Sequence, residues 1–378
     1  MNVYKNRINT LCSWMQAENI DAVVIEDAEN RRSQNLRYLT GMDSDAVLII
    51  FADSTSVLIP WDIILAEKTA AADRIIAYGE FNRNMVEAVK GVCAEKLRGG
   101  RIELASSTPH VLYNELAAEM KGFELVCRPE GMSTKLLDMR AVKDETEIEI
   151  YSRAGAMTNK LIDALEAGFR DGTIKTEIDA AMMVETESRR LGAEGSSFET
   201  LAAGPSRSWG IHCIPFYGAG PIGCHAADGS GGLSIIDCGL KLEGYATDIT
   251  MSVCRGQLSE KQQQMVELVA QAHAVGAKAA LKYGVSGAEI ARAVDKHFEA
   301  AGWTMPHGLG HGIGLDVHEA PGLKDHELFD KPLLPGMYFT IEPGLYDVEA
   351  GGVRLENDYL MTDAGAKAIT SSRILMLP

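Results

Sequence analysis

The sequence predicts two domains, a layered α/β domain over residues 1–135 and a larger α+β domain over residues 136–378. Three observations lead there. A chain of 378 residues exceeds one ordinary core and suits about two domains of roughly 100 to 200 residues each. Helix-like and strand-like segments alternate through the first third, the pattern of helices packed on a sheet. Beyond Met132-Ser-Thr-Lys-Leu-Leu-Asp-Met-Arg140 the helices lengthen and the strands separate from them, the pattern of an α+β domain.

The first domain opens on a helix near 5–18, with Leu11, Trp14 and Met15 set against Glu18 and Asn19. Strands follow at Ala22–Glu26, Ala46–Phe51 and Ser56–Ile59, then helices near 62–73 and 82–97, a strand at 101–104 and a helix near 109–120. In the second domain, Asp144-x-x-Glu147 is a capping box for a helix expected to stop at Gly168. The same signal recurs at Ser259-x-x-Gln262 before Gly284 and at Ser286-x-x-Glu289 before Gly302. Short β segments are expected around 198–203, 233–238, 244–254, 337–342 and 353–362, with a Gly-rich loop at 218–232.

Composition excludes several functions. Apolar residues make up 46% and charged residues 24%, as in a folded globular chain. Against 36 Lys and Arg stand 53 Asp and Glu, a net charge of −17, which argues against a phosphate backbone as partner. No apolar run approaches the roughly 20 residues that span a bilayer, and the N-terminus lacks a signal peptide's apolar stretch, so the expectation is a cytoplasmic protein. The seven cysteines are scattered, without a C-x-x-C pair, and read as reduced thiols.

Carboxylates carry the chemical signal. Asp237 ends the run Leu-Ser-Ile-Ile, and Asp248 follows in Gly244-Tyr-Ala-Thr-Asp-Ile-Thr250. A hairpin closed by residues 241–244 puts the two aspartates opposite one another, with Cβ atoms about 5 Å apart. Such a pair needs a cation or a proton; the plainer reading makes one a turn cap and leaves the other solvated. Glu342, in Tyr338-Phe-Thr-Ile-Glu-Pro343, and Glu356, in Val353-Arg-Leu-Glu-Asn357, have a spacing that again permits facing positions. In Pro306-His-Gly-Leu-Gly-His-Gly-Ile-Gly-Leu-Asp-Val-His-Glu-Ala-Pro321, glycine lets the backbone approach a ligand or another strand while His307, His311 and His318 supply nitrogen. Four carboxylates and one imidazole suit Mn²⁺, Co²⁺, Fe²⁺ or Zn²⁺. Two metals about 3.5–4 Å apart would use this much negative charge.

The ordered set Asp237, Asp248, His311, Glu342 and Glu356, in these local contexts, resembles the pita-bread metallopeptidases. That family includes prolidase, aminopeptidase P and methionine aminopeptidase, with creatinase as a metal-free relative. The likeness extends to Arg140-Ala-Val-Lys-Asp-Glu-Thr-Glu-Ile and to Tyr38-Leu-Thr-Gly41, and so spans nearly the whole chain. It implies a creatinase-like N-terminal domain followed by a pita-bread catalytic domain. It also implies two divalent metal ions per subunit, Mn²⁺ or Co²⁺ before Zn²⁺ or Fe²⁺. By the same resemblance Asp248 and Glu356 bridge both metals, Asp237 binds one, and His311 and Glu342 bind the other.

The implied activity is cleavage of short peptides with proline after the scissile bond, as an Xaa-Pro dipeptidase or aminopeptidase. A hydroxide held between the metals attacks the carbonyl, and Glu342 shuttles a proton. His212 and His318 are the implied substrate-side histidines. Arg354 is expected to pair with a substrate carboxylate or with an acidic neighbour. Relatives with two domains imply a homodimer. Ile211, Met251 and a loop after His212 about eight residues longer than the resemblance leads one to expect depart from the pattern around the substrate. They motivate an alternative, a metal-dependent hydrolase of a non-peptide C–N substrate such as a compatible solute. Trp209, Phe216 and Tyr217 either line a pocket or pack, and His225 either replaces His212 or is a loop residue.

Overall fold

The computed structural model describes residues 2–223 and 231–378. Residues 224–230 of the Gly-rich loop expected at 218–232, His225 among them, lie outside the described residues. The chain divides into two compact units, Met1–Arg140 and Ala141–Pro378.

The first unit is a six-stranded sheet with helices. Its strands run in the order 74–75, 56–60, 46–51, 22–27, 100–104, 123–126. Strand Ala22–Asp27 pairs antiparallel with Ala46–Phe51 and parallel with Gly100–Leu104. The strands Ala46–Phe51 and Ser56–Pro60 are buried along their whole length and read as continuous apolar runs, as strands covered on both faces do. Helix Val3–Ala17 buries Ile8, Leu11, Cys12 and Met15, one stripe at helical spacing.

The second unit repeats one arrangement twice. Helices Glu145–Asp171 and Glu177–Arg190 precede a hairpin of strands Gly232–Cys238 and Ile249–Arg255. Helices Glu260–Ala280 and Gly287–Ala300 precede a sheet that contains Gly310–Gly312, Glu319–Leu323, Tyr338–Ile341 and Asn357–Thr362. Asp144, Ser259 and Ser286 all form the expected capping boxes, and Thr176 forms a fourth. Each helix pair packs an apolar face on its own sheet: Leu161, Leu165 and Phe169 lie with Ile236, Ile249 and Met251, while Met265, Val294 and Phe298 lie with Phe339 and Ile341.

Two local expectations are corrected. The first long helix runs through Gly168 and ends at Gly172, whose φ of +77° is the left-handed cap. Gly168 is instead a packing glycine, since a Cβ there would meet Ile174 at 2.9 Å. The first hairpin also has a different register. Its turn is the two-residue Glu243-Gly244, with φ +50° and +89°, not residues 241–244. Leu242 therefore pairs with Tyr245, Cys238 with Ile249, and Asp237 with Thr250 rather than Asp248. Asp248 stays on the same face one diagonal step away, because side chains alternate with a period of two.

Among the described residues, no helix is long and apolar enough to cross a membrane. The cysteines at 12, 93, 127, 213, 238 and 254 are free thiols.

Because this turn sets the register of both aspartates, it is a point of sensitivity. Gly244→Val should lower stability by about 1–2 kcal/mol, the cost of a left-handed residue with a Cβ. Glu243→Asn, suited to such a turn, should stay within about 0.5 kcal/mol of the parent or exceed it. Urea denaturation of the two variants checks both.

Candidate metal centre

Four strand regions bring in the carboxylates, and one glycine-rich segment brings in the imidazole. In the second half, Ile341 pairs with Asn357 and Gly344 with Arg354, which leaves Glu342 opposite Glu356 in the facing arrangement that their spacing permits. The two halves meet at Thr250. Its backbone pairs with Asp237 on one side and bridges to Glu356 on the other. Its hydroxyl donates to Glu356 Oε2 at 2.7 Å and accepts from Arg354 Nε at 2.9 Å.

His311 enters on the short strand Gly310–Gly312, between Glu319–Leu323 and Tyr338–Ile341. Glycine is required on both sides of it, since a Cβ at 310 would strike the carbonyl of Thr340 and one at 312 that of Ala320. Of the two uses considered for these glycines, the close approach is to neighbouring strands. The His311 Nδ1–H donates to the carbonyl of Gly312 at 3.0 Å, which leaves Nε2 as a lone pair. That nitrogen faces Asp248 Oδ2 at 3.6 Å and Glu342 Oε1 at 3.7 Å. Burial, then the neighbouring His318, pushes the His311 pKa down to about 4, so the ring is neutral at pH 7.

Acceptors thus face acceptors. Atoms of Asp248, His311 and Glu356 suited to a metal lie within 4.8 Å of one another. Asp237 Oδ1, Asp248 Oδ1 and Glu356 Oε1 are buried without any hydrogen-bond partner. An unpaired buried carboxylate oxygen is costly, and a hard cation satisfies several at once. The donor set therefore fits a divalent metal. Without a cation, burial raises the pKa of Asp248, helped by Glu356 and Asp237, and that of Glu356, helped by Glu342 and Asp237. Glu342 is pushed from 4.5 to about 8, chiefly by burial.

Arg354 is almost fully buried and holds the acidic neighbour: its Nη2 donates to Asp237 Oδ2 at 2.5 Å. Its Nη1 donates to Tyr346 Oη at 2.8 Å and to the carbonyl of Ile211 at 3.3 Å. The Tyr346 hydroxyl in turn donates to His307 Nε2 at 2.9 Å, because His307 Nδ1–H is given to the carbonyl of Gly308. His318 lies against His311, with ring centroids 4.2 Å apart. Partial burial, and then His212, lowers the His318 pKa, although both histidines are exposed.

Met251 does not border the substrate side. It is buried with Leu161, Ile236 and Ile249, on the strand face opposite Asp248 and Thr250. Phe216 packs on Leu201, Ala203 and Ile235, and Tyr217 packs on the core shared by the first helix pair and its sheet. Trp209 stays 46% exposed. Thr250 and Tyr346 were not singled out from sequence; the placement of Thr250 two residues after Asp248, on the same strand face, was the available signal for the first.

Residues 149–363 match metallopeptidase family M24, and residues 7–142 match the creatinase/prolidase N-terminal domain. An Xaa-Pro dipeptidase of Pyrococcus horikoshii is 29% identical over 98% of this chain and 99% of its own length. An uncharacterised peptidase of Bacillus subtilis is 30% identical, over 89% and 91% respectively. The crystal structure of an X-Pro aminopeptidase from Thermotoga maritima matches with a TM-score of 0.84 at 25% identity, covering 98% of this chain and 99% of that one.

The buried carboxylates make a pH prediction. A carboxylate whose pKa is raised on folding stabilises the protein below its unfolded value and loses that contribution as pH rises through the folded one. Histidines with lowered pKa act the opposite way, but only between about 4 and 6.5. Between pH 6.5 and 8 the carboxylates alone remain, so the melting temperature of chelator-treated protein should fall across that window. Saturating Mn²⁺ should raise it, and by more at pH 8 than at pH 6.5. Calorimetry with and without the ion decides; equal effects at both pH values would count against a cation among these carboxylates.

Proposed function

The chain belongs to metallopeptidase family M24, and from that membership we propose that it hydrolyses short peptides at the bond preceding proline, as an Xaa-Pro dipeptidase or aminopeptidase. The observation that carries the proposal is the cluster of buried Asp248 and Glu356 with half-buried Asp237 and Glu342 around the neutral His311, in a chain matched along its length by proteins of that activity. Asp237, Asp248, His311, Glu342 and Glu356 would hold two divalent cations. When bound, such ions lower the pKa of water toward neutrality and polarise a carbonyl.

The chain's own residues supply the rest. Arg354 fixes Asp237 through a short charged hydrogen bond and keeps one of its oxygens turned away from the unpaired one. Thr250 fixes Glu356 in the same way. Glu342, beside the other candidate ligands, is the proton carrier to the departing proline nitrogen. His212 and His318 hold the peptide carbonyl and its developing charge from the open side, where both are exposed. A second copy of the chain as partner and a cytoplasmic location complete the reading.

The test is direct. Protein stripped with chelator and reloaded with Mn²⁺ or Co²⁺ is offered Xaa-Pro dipeptides and longer Xaa-Pro peptides. Metal-dependent cleavage of one class is expected; cleavage of neither sinks the proposal, and turnover of a non-peptide amide or amidine in its place would move the chain to that chemistry.

Several kcal/mol of charge stabilisation depend on the cations, so Asp248→Asn and Glu356→Gln should each lower kcat/KM by about a thousandfold or more. His212→Ala removes one hydrogen bond to substrate and should cost about ten- to a hundredfold. Steady-state kinetics with metal content measured on the same samples checks the ranking, and equal residual activity in all three contradicts the assigned roles.

A further inference from the structure

We propose that Glu177 is a positioning residue: its buried carboxylate clamps the two ends of segment 204–218 and so sets where His212 stands. The proposal rests on the peptidase reading only for its kinetic readout. Glu177 opens the helix Glu177–Arg190, and its side chain is 1% exposed. A lone carboxylate at that depth is tolerated only when its oxygens are satisfied. Three donors satisfy it, all from one segment. Gly204 N–H donates to Oε1 at 2.8 Å, Arg207 Nε to Oε1 at 3.1 Å, and Gly218 N–H to Oε2 at 2.7 Å. The backbone joins in, with Glu177 N–H donating to Gly220 O and Ile178 N–H to Gly218 O.

Residues 204–220 contain no helix or strand, so no ladder holds them. Side chains do much of that, beside a few backbone bonds such as Ala202 N–H to Phe216 O. Arg207 passes on from Glu177 to the carbonyl of Pro215 at 2.6 Å, which closes the segment on itself. Ser208 donates to Leu233 O and accepts from Gly352 N–H, and Arg354 holds Ile211 O. His212 thus hangs between an inner anchor, Arg354, which also grips Asp237, and an outer anchor, Glu177. Between the anchors Trp209 and Ile214 stand 46% and 85% exposed beside His212. An error in the clamp would displace the histidine without touching a candidate metal ligand.

A carboxylate that merely stabilised the helix start would affect melting and nothing else. The two are separated with the full chain loaded with Mn²⁺. Glu177→Gln keeps one acceptor and turns an amide toward a backbone N–H. Amide exchange in peptides covering 204–218 should then accelerate by more than about tenfold while the long helices are unchanged. On an Xaa-Pro peptide, kcat/KM should fall about tenfold, mainly through KM, with bound metal per chain unaltered. Adding Glu177→Gln to His212→Ala should cost less than about a further twofold, because no histidine is left to misplace. Additive penalties, unchanged exchange or lost metal overturn the proposal. If Glu177→Gln fails to fold, Arg207→Gln, which leaves the carboxylate and helix start intact, carries the same measurements. If the parent protein cleaves no Xaa-Pro peptide, the function falls and the exchange comparison alone decides the clamp.

Discussion

Four carboxylates cannot share a dry site unless something positive shares it with them. Asp237 has Arg354, at 2.5 Å, yet Asp237, Asp248 and Glu356 each keep an oxygen with no partner, and the imidazole of His311 that faces them is neutral. Protons or cations must make up the difference. Much of the second unit serves this constraint. Hairpins are suited to it because they set side chains about 5 Å apart across strands at fixed positions. The strand bearing His311 must be flanked by glycine, because only a backbone without Cβ can pass between Ala320 and Thr340 closely enough to bring the ring in.

The arrangement is divided between two halves, each a helix pair followed by a hairpin with two acids. Neither half provides a complete cation site. Thr250 closes the gap: its backbone joins Asp237 to Glu356, and its hydroxyl orders one acid while accepting from the arginine that orders the other. A ligand bound across such a seam stabilises only the folded arrangement. A cation held across the seam would favour the joined halves by the same linkage.

The sequence was informative where a rule is local. Three capping boxes, the facing spacing of Glu342 and Glu356 and the strand runs of the first unit all follow from neighbours within a few residues. It was silent or misleading where a distant partner decides. Two registers for the first hairpin differ only in turn type, and the left-handed pair at Glu243-Gly244 shifts Asp237 to face Thr250. Gly168 looks like a stop until Ile174 is seen against it. Met251 reads as a substrate-side change until its strand parity puts it in the core. Glu177 looks like an ordinary acid in a helix's first turn, because the amides it accepts from lie 27 and 41 residues away.

This division has a consequence for how such a site can diverge. The candidate ligands stand on paired strands or directly beside them, where a slip of one residue would turn a carboxylate to the wrong face. His212, Trp209 and Ile214 stand on a segment without a ladder, tied by single side chains and isolated backbone bonds. Changes in that segment alter what meets the substrate at little cost to the cation site, so long as the ties survive. Arg354 is the exception, since one guanidinium holds both Asp237 and Ile211. Through it the position of the loop and the geometry of a candidate ligand are coupled, and a substitution there cannot change one without the other.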